Sequence, residues 1–163
     1  QQLSDLVGTW SGTSRLWLMP GDPAHDSDST AKVESVAQGQ FFIVHYAWAF
    51  DGDPHDGMIV FPSGAIDSST RSVWLDSWHM ANAVMVCDTT RDGTGVLLHG
   101  TYSAPPGPDW GWRIEIEPRE PSRLVVRMFN ITPGGEEALA VLAEYDRAAH
   151  KVPLWNRRSA RDW

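Results

Sequence analysis

The chain has 163 residues, 42% of them apolar, and this length suits one domain with a sizeable buried core. A formal net charge of −8 argues against a nucleic-acid or anionic-membrane partner, since both require clustered Lys and Arg. The only basic cluster, Arg157, Arg158 and Arg161, lies at the far C-terminus and reads as a tail, and no apolar run approaches the ~20 residues of a membrane span. A single cysteine, Cys87 in "AVMVCDTT", excludes an intramolecular disulfide and makes a reducing cytoplasm the expected compartment. The opening "QQLSD" has no signal-peptide pattern and also no starting Met, so processing of the N-terminus and an exported origin stay open.

Taken in chain order, the apolar pattern has period two almost throughout. "LVGTWSGTSRLWLM" is a first strand, followed by a polar loop "PGDPAHDSDS". "TAKVESVAQ" and "QFFIVHYAWAF" follow, joined tightly through Gly39. "DGDPHDG" turns the chain into "MIVFP", and "RSVWLDSWHM" leads into "AVMVCDTT". "RDGTG" turns into "VLLHGTYS", and "APPGPD" leads to "WGWRIEIEP". "SRLVVRMFNI" and "EALAVLAEYDR" close the set across "TPGGEE". The last segment has helix-forming composition, but its alternation and the preceding turn favour a strand.

About ten sequential antiparallel strands must manage two edges, and closure into an up-and-down barrel removes both. A barrel of eight or more strands has room for a small ligand. The expectation is an all-β protein with a single antiparallel barrel domain over 1–163: barrel about 3–149, tail 150–163, and an internal cavity.

Several stretches also resemble a known family. "LVGTWSGTSRLW", with Gly8 and Trp10, resembles the first strand of lipocalin-like calycin barrels. "STAKVESVAQGQFFIVHYAW", the element Trp74-Leu75-Asp76-Ser77 and the closing "AEYDR", with Tyr145 and Arg147, resemble a bacterial family of calycin-like barrels of unknown function, DUF1579. The resemblance runs from about residue 3 to 149 and implies a calycin barrel with a cavity but no particular reaction. It also implies that Trp10 closes one end by packing against a late basic side chain, for which Arg147 is the candidate. Trp78, His79, Trp110 and Trp112 depart from the family pattern and point to a ligand preference of this chain's own.

Within "VWLDSWHM", period two places Trp74, Asp76, Trp78 and Met80 on one face and Val73, Leu75, Ser77 and His79 on the other. Periodicity alone leaves the inward face open, and burial of two indoles on one strand favours the tryptophan face. A buried Asp76 needs hydrogen-bond donors, or it titrates upward and becomes an acid or base.

Of the histidines, His25, His55 and His150 fall in loop, turn and tail sequence and are read as solvated. His45, His79 and His99 sit in apolar strands that a barrel can bring together, although a hydrogen-bonded structural role is the default for each taken singly. No His-x-His or Glu-x-x-His spacing supports a metal. "DGDPHDG" misses the EF-hand register and reads as a hairpin turn. Glu115 and Glu117 share the face of Arg113 and read as a solvated surface rather than a glycosidase pair.

The expected function is binding of a small hydrophobic or aromatic molecule inside the barrel. Tyr46, Trp48, Trp74, Trp78, His99, Tyr102, Trp110, Trp112 and Met128 are the expected ligand-binding residues. The alternative is a cofactor-free cyclase, isomerase or hydratase with Asp76 and His79 as its catalytic residues. Haem is a distant third: the nitrobindins, which are calycin-like barrels, bind it through a histidine near the C-terminal strand, and here that strand has none. No metal or other cofactor is expected, and the protein is expected as a monomer or homodimer.

Overall fold

The computed structural model describes residues 2–149. Ten antiparallel strands, β1 Gly8–Leu16, β2 His25–Val36, β3 Phe41–Phe50, β4 Asp53–Pro62, β5 Arg71–Asp76, β6 Met85–Asp92, β7 Gly95–Tyr102, β8 Trp110–Arg119, β9 Arg123–Ile131 and β10 Glu137–Arg147, close into a barrel. Each pairs with its sequence neighbours, and β1 pairs with both β2 and β10, so no edge remains open. The all-β up-and-down barrel expected from the alternation is therefore the fold, and the last segment is a strand. Among the described residues no helix is long and apolar enough to cross a membrane.

Inward and outward side chains alternate as the pattern demands. Along β3, Phe42, Val44, Tyr46 and Trp48 are buried, while Phe41, His45 and Ala47 are exposed. The β3–β4 connection is shorter than "DGDPHDG" suggests. Asp51 and Gly52, with φ of 48° and 89°, turn the chain alone, and Asp53–Gly57 already belongs to β4. Likewise β2 begins at His25, so half of the expected polar loop is strand, paired with Gly12–Leu16 of β1. Charged residues there hide the strand from a hydrophobicity reading because their side chains face outward.

A short 3-10 helix, Leu3–Leu6, buries Leu3 and Leu6 against the barrel core. Trp10 is fully buried and its indole N–H donates to the Leu6 carbonyl at 2.9 Å. The Arg147 guanidinium lies 4.3 Å over the Trp10 ring and donates to the carbonyls of Val7, Asp5 and Pro121. One side chain thus ties the helix, the start of β1 and the β8–β9 turn together, in the role the resemblance implies. Gly8, with φ of 143°, leaves room for it, since a Cβ there would lie 2.6 Å from Arg147 Nη1. Because a lysine has neither the planar fork nor the stacking face, Arg147→Lys is expected to cost about 1–2 kcal/mol in urea unfolding.

Candidate functional site

The sequence-favoured inward face of "VWLDSWHM" is the observed one up to Asp76. Trp74 is 1% exposed and Asp76 3%, whereas Leu75 between them is 37% exposed. Beyond Asp76 the strand reading fails. Residues 77–80 form a turn, closed by Met80 N–H donating to the Asp76 carbonyl at 2.9 Å. The Asp76 carboxylate starts this turn: its Oδ1 accepts the N–H groups of Trp78 and His79, both at 2.9 Å. The chain therefore curls over the barrel, and His79 comes to the same interior as Asp76 although strand alternation would separate them.

Two residues on the preceding strands prepare the carboxylate's other side. Tyr46 on β3 stands opposite Gly57 on β4, which stands opposite Asp76 on β5. With no side chain at 57, the tyrosine ring lies across β4; a Cβ there would meet Tyr46 Oη at 2.2 Å. Tyr46 Oη donates to Asp76 Oδ2 at 2.7 Å and accepts the Trp74 indole N–H at 2.8 Å. His79 Nδ1 lies 3.1 Å from Asp76 Oδ1.

Burial alone would push the Asp76 carboxyl up, but the hydrogen bond and charge of His79, its backbone N–H and the Tyr46 hydroxyl outweigh it and hold the pKa below the ordinary 3.8. Asp76 is consequently an ionised acceptor rather than a buried acid. Burial and the Asp76 charge push the Tyr46 phenol well above its usual value, so Tyr46 stays a neutral donor. Burial likewise raises Tyr145, bonded to Ser29 at 2.9 Å, to about 12.

The imidazole of His79 is packed in indoles. Its centroid lies 5.8 Å from Trp48, 5.6 Å from Trp74, 4.7 Å from Trp78 and 5.3 Å from Trp112, and Trp74 and Trp112 stack within 9° of parallel. Among the described residues three buried side-chain nitrogens have no hydrogen-bond partner: Trp48 Nε1, His79 Nε2 and Trp112 Nε1. All three belong to this cluster.

Ser14, Tyr46, Trp48, Asp76, His79 and Tyr145 form the polar part of a recess whose remaining wall is aliphatic, from Leu16, Val44, Val126, Met128, Val141 and Ala143. With its mouth included the recess holds about 430 Å³ of space unoccupied by atoms, but it is narrow, leaving about 20 Å³ within which the centre of a water molecule can move. That suffices for about one water. The interior is mostly filled, with a slot rather than an open cup.

Of the expected ligand-binding residues, Tyr46, Trp48 and Met128 line this slot, and Trp74 and Trp112 back it through His79. Trp78 sits at the turn, half-buried against Phe50 and Trp48. His99 is exposed on the outer face of β7 opposite Arg113, so the expectation that it orients a ligand inside the barrel is corrected. His45 is also exposed and bonds Asp56 at 2.9 Å, leaving His79 as the interior member of that histidine trio. The hydroxyl of Tyr102 is engaged by Asn130 at 2.6 Å, and Tyr102 reaches the cluster only edge-on, 6.5 Å from Trp112. Trp110 is half-buried at the start of β8, away from the slot wall.

His25 and His55 lie in strands rather than in loop and turn, each beside an aromatic ring: Phe50 for His25 and Trp48 for His55. His150 and the basic tail fall outside the described residues. Ser14, Val44, Val126, Val141 and Ala143 were not singled out by sequence, because small and aliphatic inward residues look alike whether they fill a core or line a slot. Gly57 follows His55 and Asp56, and this polar run assigns it to a turn and conceals its place in β4.

Cys87 is fully buried, and burial raises its thiol to about 12, in keeping with an inert packing role. Glu115 and Glu117 join Arg113, Arg119 and Arg127 in an ion-pair network on the outer face. Among the described residues no three His, Cys, Asp or Glu side chains gather as a metal set.

Comparison with known proteins agrees with this architecture. A solved structure, Rv2717c from M. tuberculosis, matches with a TM-score of 0.58 at 14% identity, over 90% of this chain and 95% of that one, a likeness of fold. No curated protein sequence matches the chain. The model of the family described as "Protein of unknown function (DUF1579)" matches residues 1–147, which takes in all ten strands of the barrel. The chain belongs to the DUF1579 family.

Proposed function

We propose that the barrel binds one small, flat, mainly apolar molecule in the slot beside His79. The observation that carries this reading is the coincidence of a largely aliphatic recess with two lining residues, Trp48 and His79, whose buried ring nitrogens have no partner. Buried polar groups without partners are destabilising, and a fold that keeps three in one aromatic cluster has a use for them. The slot is tight, so entry of anything larger than water requires a wall residue to move. Met128, with its flexible side chain, is the residue suited to swing aside.

Native mass spectrometry of the purified protein tests this reading directly. An adduct of small apolar mass is expected on the natural chain and is expected to be lost in Ala143→Leu, which fills the slot. An adduct that persists unchanged in that variant, or a natural chain that carries none and gives no calorimetric response to toluene, would overturn the reading.

A second reading is favoured by one further observation. The His79 imidazole is held by a buried, ionised carboxylate, the arrangement that orients a general base. On this reading the protein is a cofactor-free isomerase, cyclase or hydratase with His79 as base and Asp76 as its positioning partner. Turnover of a bound molecule, rather than release of it unchanged, separates the two readings.

A further inference from the structure

The hydrogen-bond inventory of the aromatic cluster says more about the ligand than its apolar wall does. Asp76 accepts only, because it is ionised and its oxygens already take Tyr46 Oη and two backbone N–H groups. The contact between Asp76 Oδ1 and His79 Nδ1 therefore requires the proton on Nδ1. In the neutral imidazole the other nitrogen, Nε2, is then a bare lone pair, buried and without a partner. The nearby unpartnered groups have the opposite polarity, since the indole nitrogens of Trp48 and Trp112 only donate. One group must give a hydrogen and one must receive, at neighbouring rings.

A hydroxyl does both. We propose that the slot recognises an aromatic or enolic hydroxyl, its O–H donated to His79 Nε2 and its oxygen accepting the indole N–H of Trp48, which with His79 lines the slot. This rests on the reading of the recess as a ligand site and adds the class of its occupant. A ketone or ether would satisfy the indole and leave the imidazole lone pair unpaired. An amine cation only donates, so it could use that lone pair but would leave the Trp48 indole N–H without an acceptor. A plain hydrocarbon would leave all three nitrogens as they are. The narrow slot, with the Trp48 indole on its wall, suits a flat carrier for the hydroxyl.

Three probes of similar size separate these cases: phenol, toluene (no hydroxyl) and anisole (an oxygen that accepts but cannot donate). Binding is measured by calorimetry at pH 8. The Trp48 indole N–H signal is followed by NMR. Phenol is expected to bind at least about tenfold more tightly than either of the others, and to shift the indole signal. The imidazole nitrogen signals of the free protein are expected to show the Nδ1–H tautomer.

His79→Phe keeps a ring but no lone pair. It is expected to bring phenol to within about threefold of toluene, with folding checked by circular dichroism. A protonated Nε2 in the free protein, or anisole binding as well as phenol, overturns the hydroxyl assignment. Toluene binding as tightly as phenol overturns it while leaving the apolar-ligand reading standing. No binding of any probe overturns both.

Discussion

Replacing Asp76 by alanine is expected to lower the unfolding free energy by about 3–5 kcal/mol, read as a shift of the urea midpoint at unchanged slope. The carboxylate is 3% exposed and accepts from Tyr46 Oη, two backbone N–H groups and His79 Nδ1. Its loss leaves those donors buried without an acceptor and opens the turn at 77–80. The same group gives acid sensitivity of a defined sign. Its folded pKa lies below the ordinary 3.8, so the folded chain binds fewer protons than the unfolded one just below that value. The stabilisation is complete above the ordinary carboxylate range and fades as the pH falls from there through the lowered folded value. Asp76→Asn is expected to be less stable at pH 7 and to lose less on acidification, the two curves converging at low pH.

Gly12→Ala is expected to cost at least about 3 kcal/mol, the upper end for overpacking, and to leave little folded protein. A Cβ at this position would lie 1.9 Å from the Glu144 carbonyl oxygen and 2.9 Å from Tyr145 Cα. These are backbone atoms of β10, paired across the seam where the barrel closes, so no side chain can swing away to make room. Gly64→Ala is the control. Nothing lies within 4 Å of that added methyl, and its effect is expected to stay within about 0.5 kcal/mol. Urea titrations of the two variants side by side check both values.

The alternation that made the barrel legible is local and strong. Phe42, Val44, Tyr46 and Trp48 against Phe41, His45 and Ala47 are enough to place β3 and its faces. For Trp74 and Asp76 alternation leaves the inward face open, and it is the preference for burying the indoles that points to the observed side. What period two cannot carry is the point where a strand stops. His79 reads as facing away from Asp76 if the strand continues, and it lies beside Asp76 because the carboxylate itself captures the next N–H groups and bends the chain. His99 shows the converse. It lies in apolar sequence yet faces outward, because apolar neighbours on a strand do not tell which side a polar residue takes. The polar start of β2 was hidden because its pairing with β1 is a backbone matter. The role of Gly57 depends on Tyr46 and Asp76 standing one strand away on either side, a juxtaposition that register creates and sequence order does not display.

The seam between β1 and β10 also sets a timetable. Arg147 and the Val7 carbonyl it holds are 140 residues apart, so the first strand made is among the last to be completed. At ~5–20 residues per second of synthesis, β1 keeps one unpaired edge for on the order of ten seconds, whereas each hairpin between neighbours forms in microseconds once both strands exist. The nascent chain is therefore a growing curved sheet with its first edge bare, open to pairing with another chain, until the final strand arrives to cover it. Crowded ribosomes on one messenger place such edges side by side, and it is there, rather than in the finished barrel, that this protein is most exposed to misassembly.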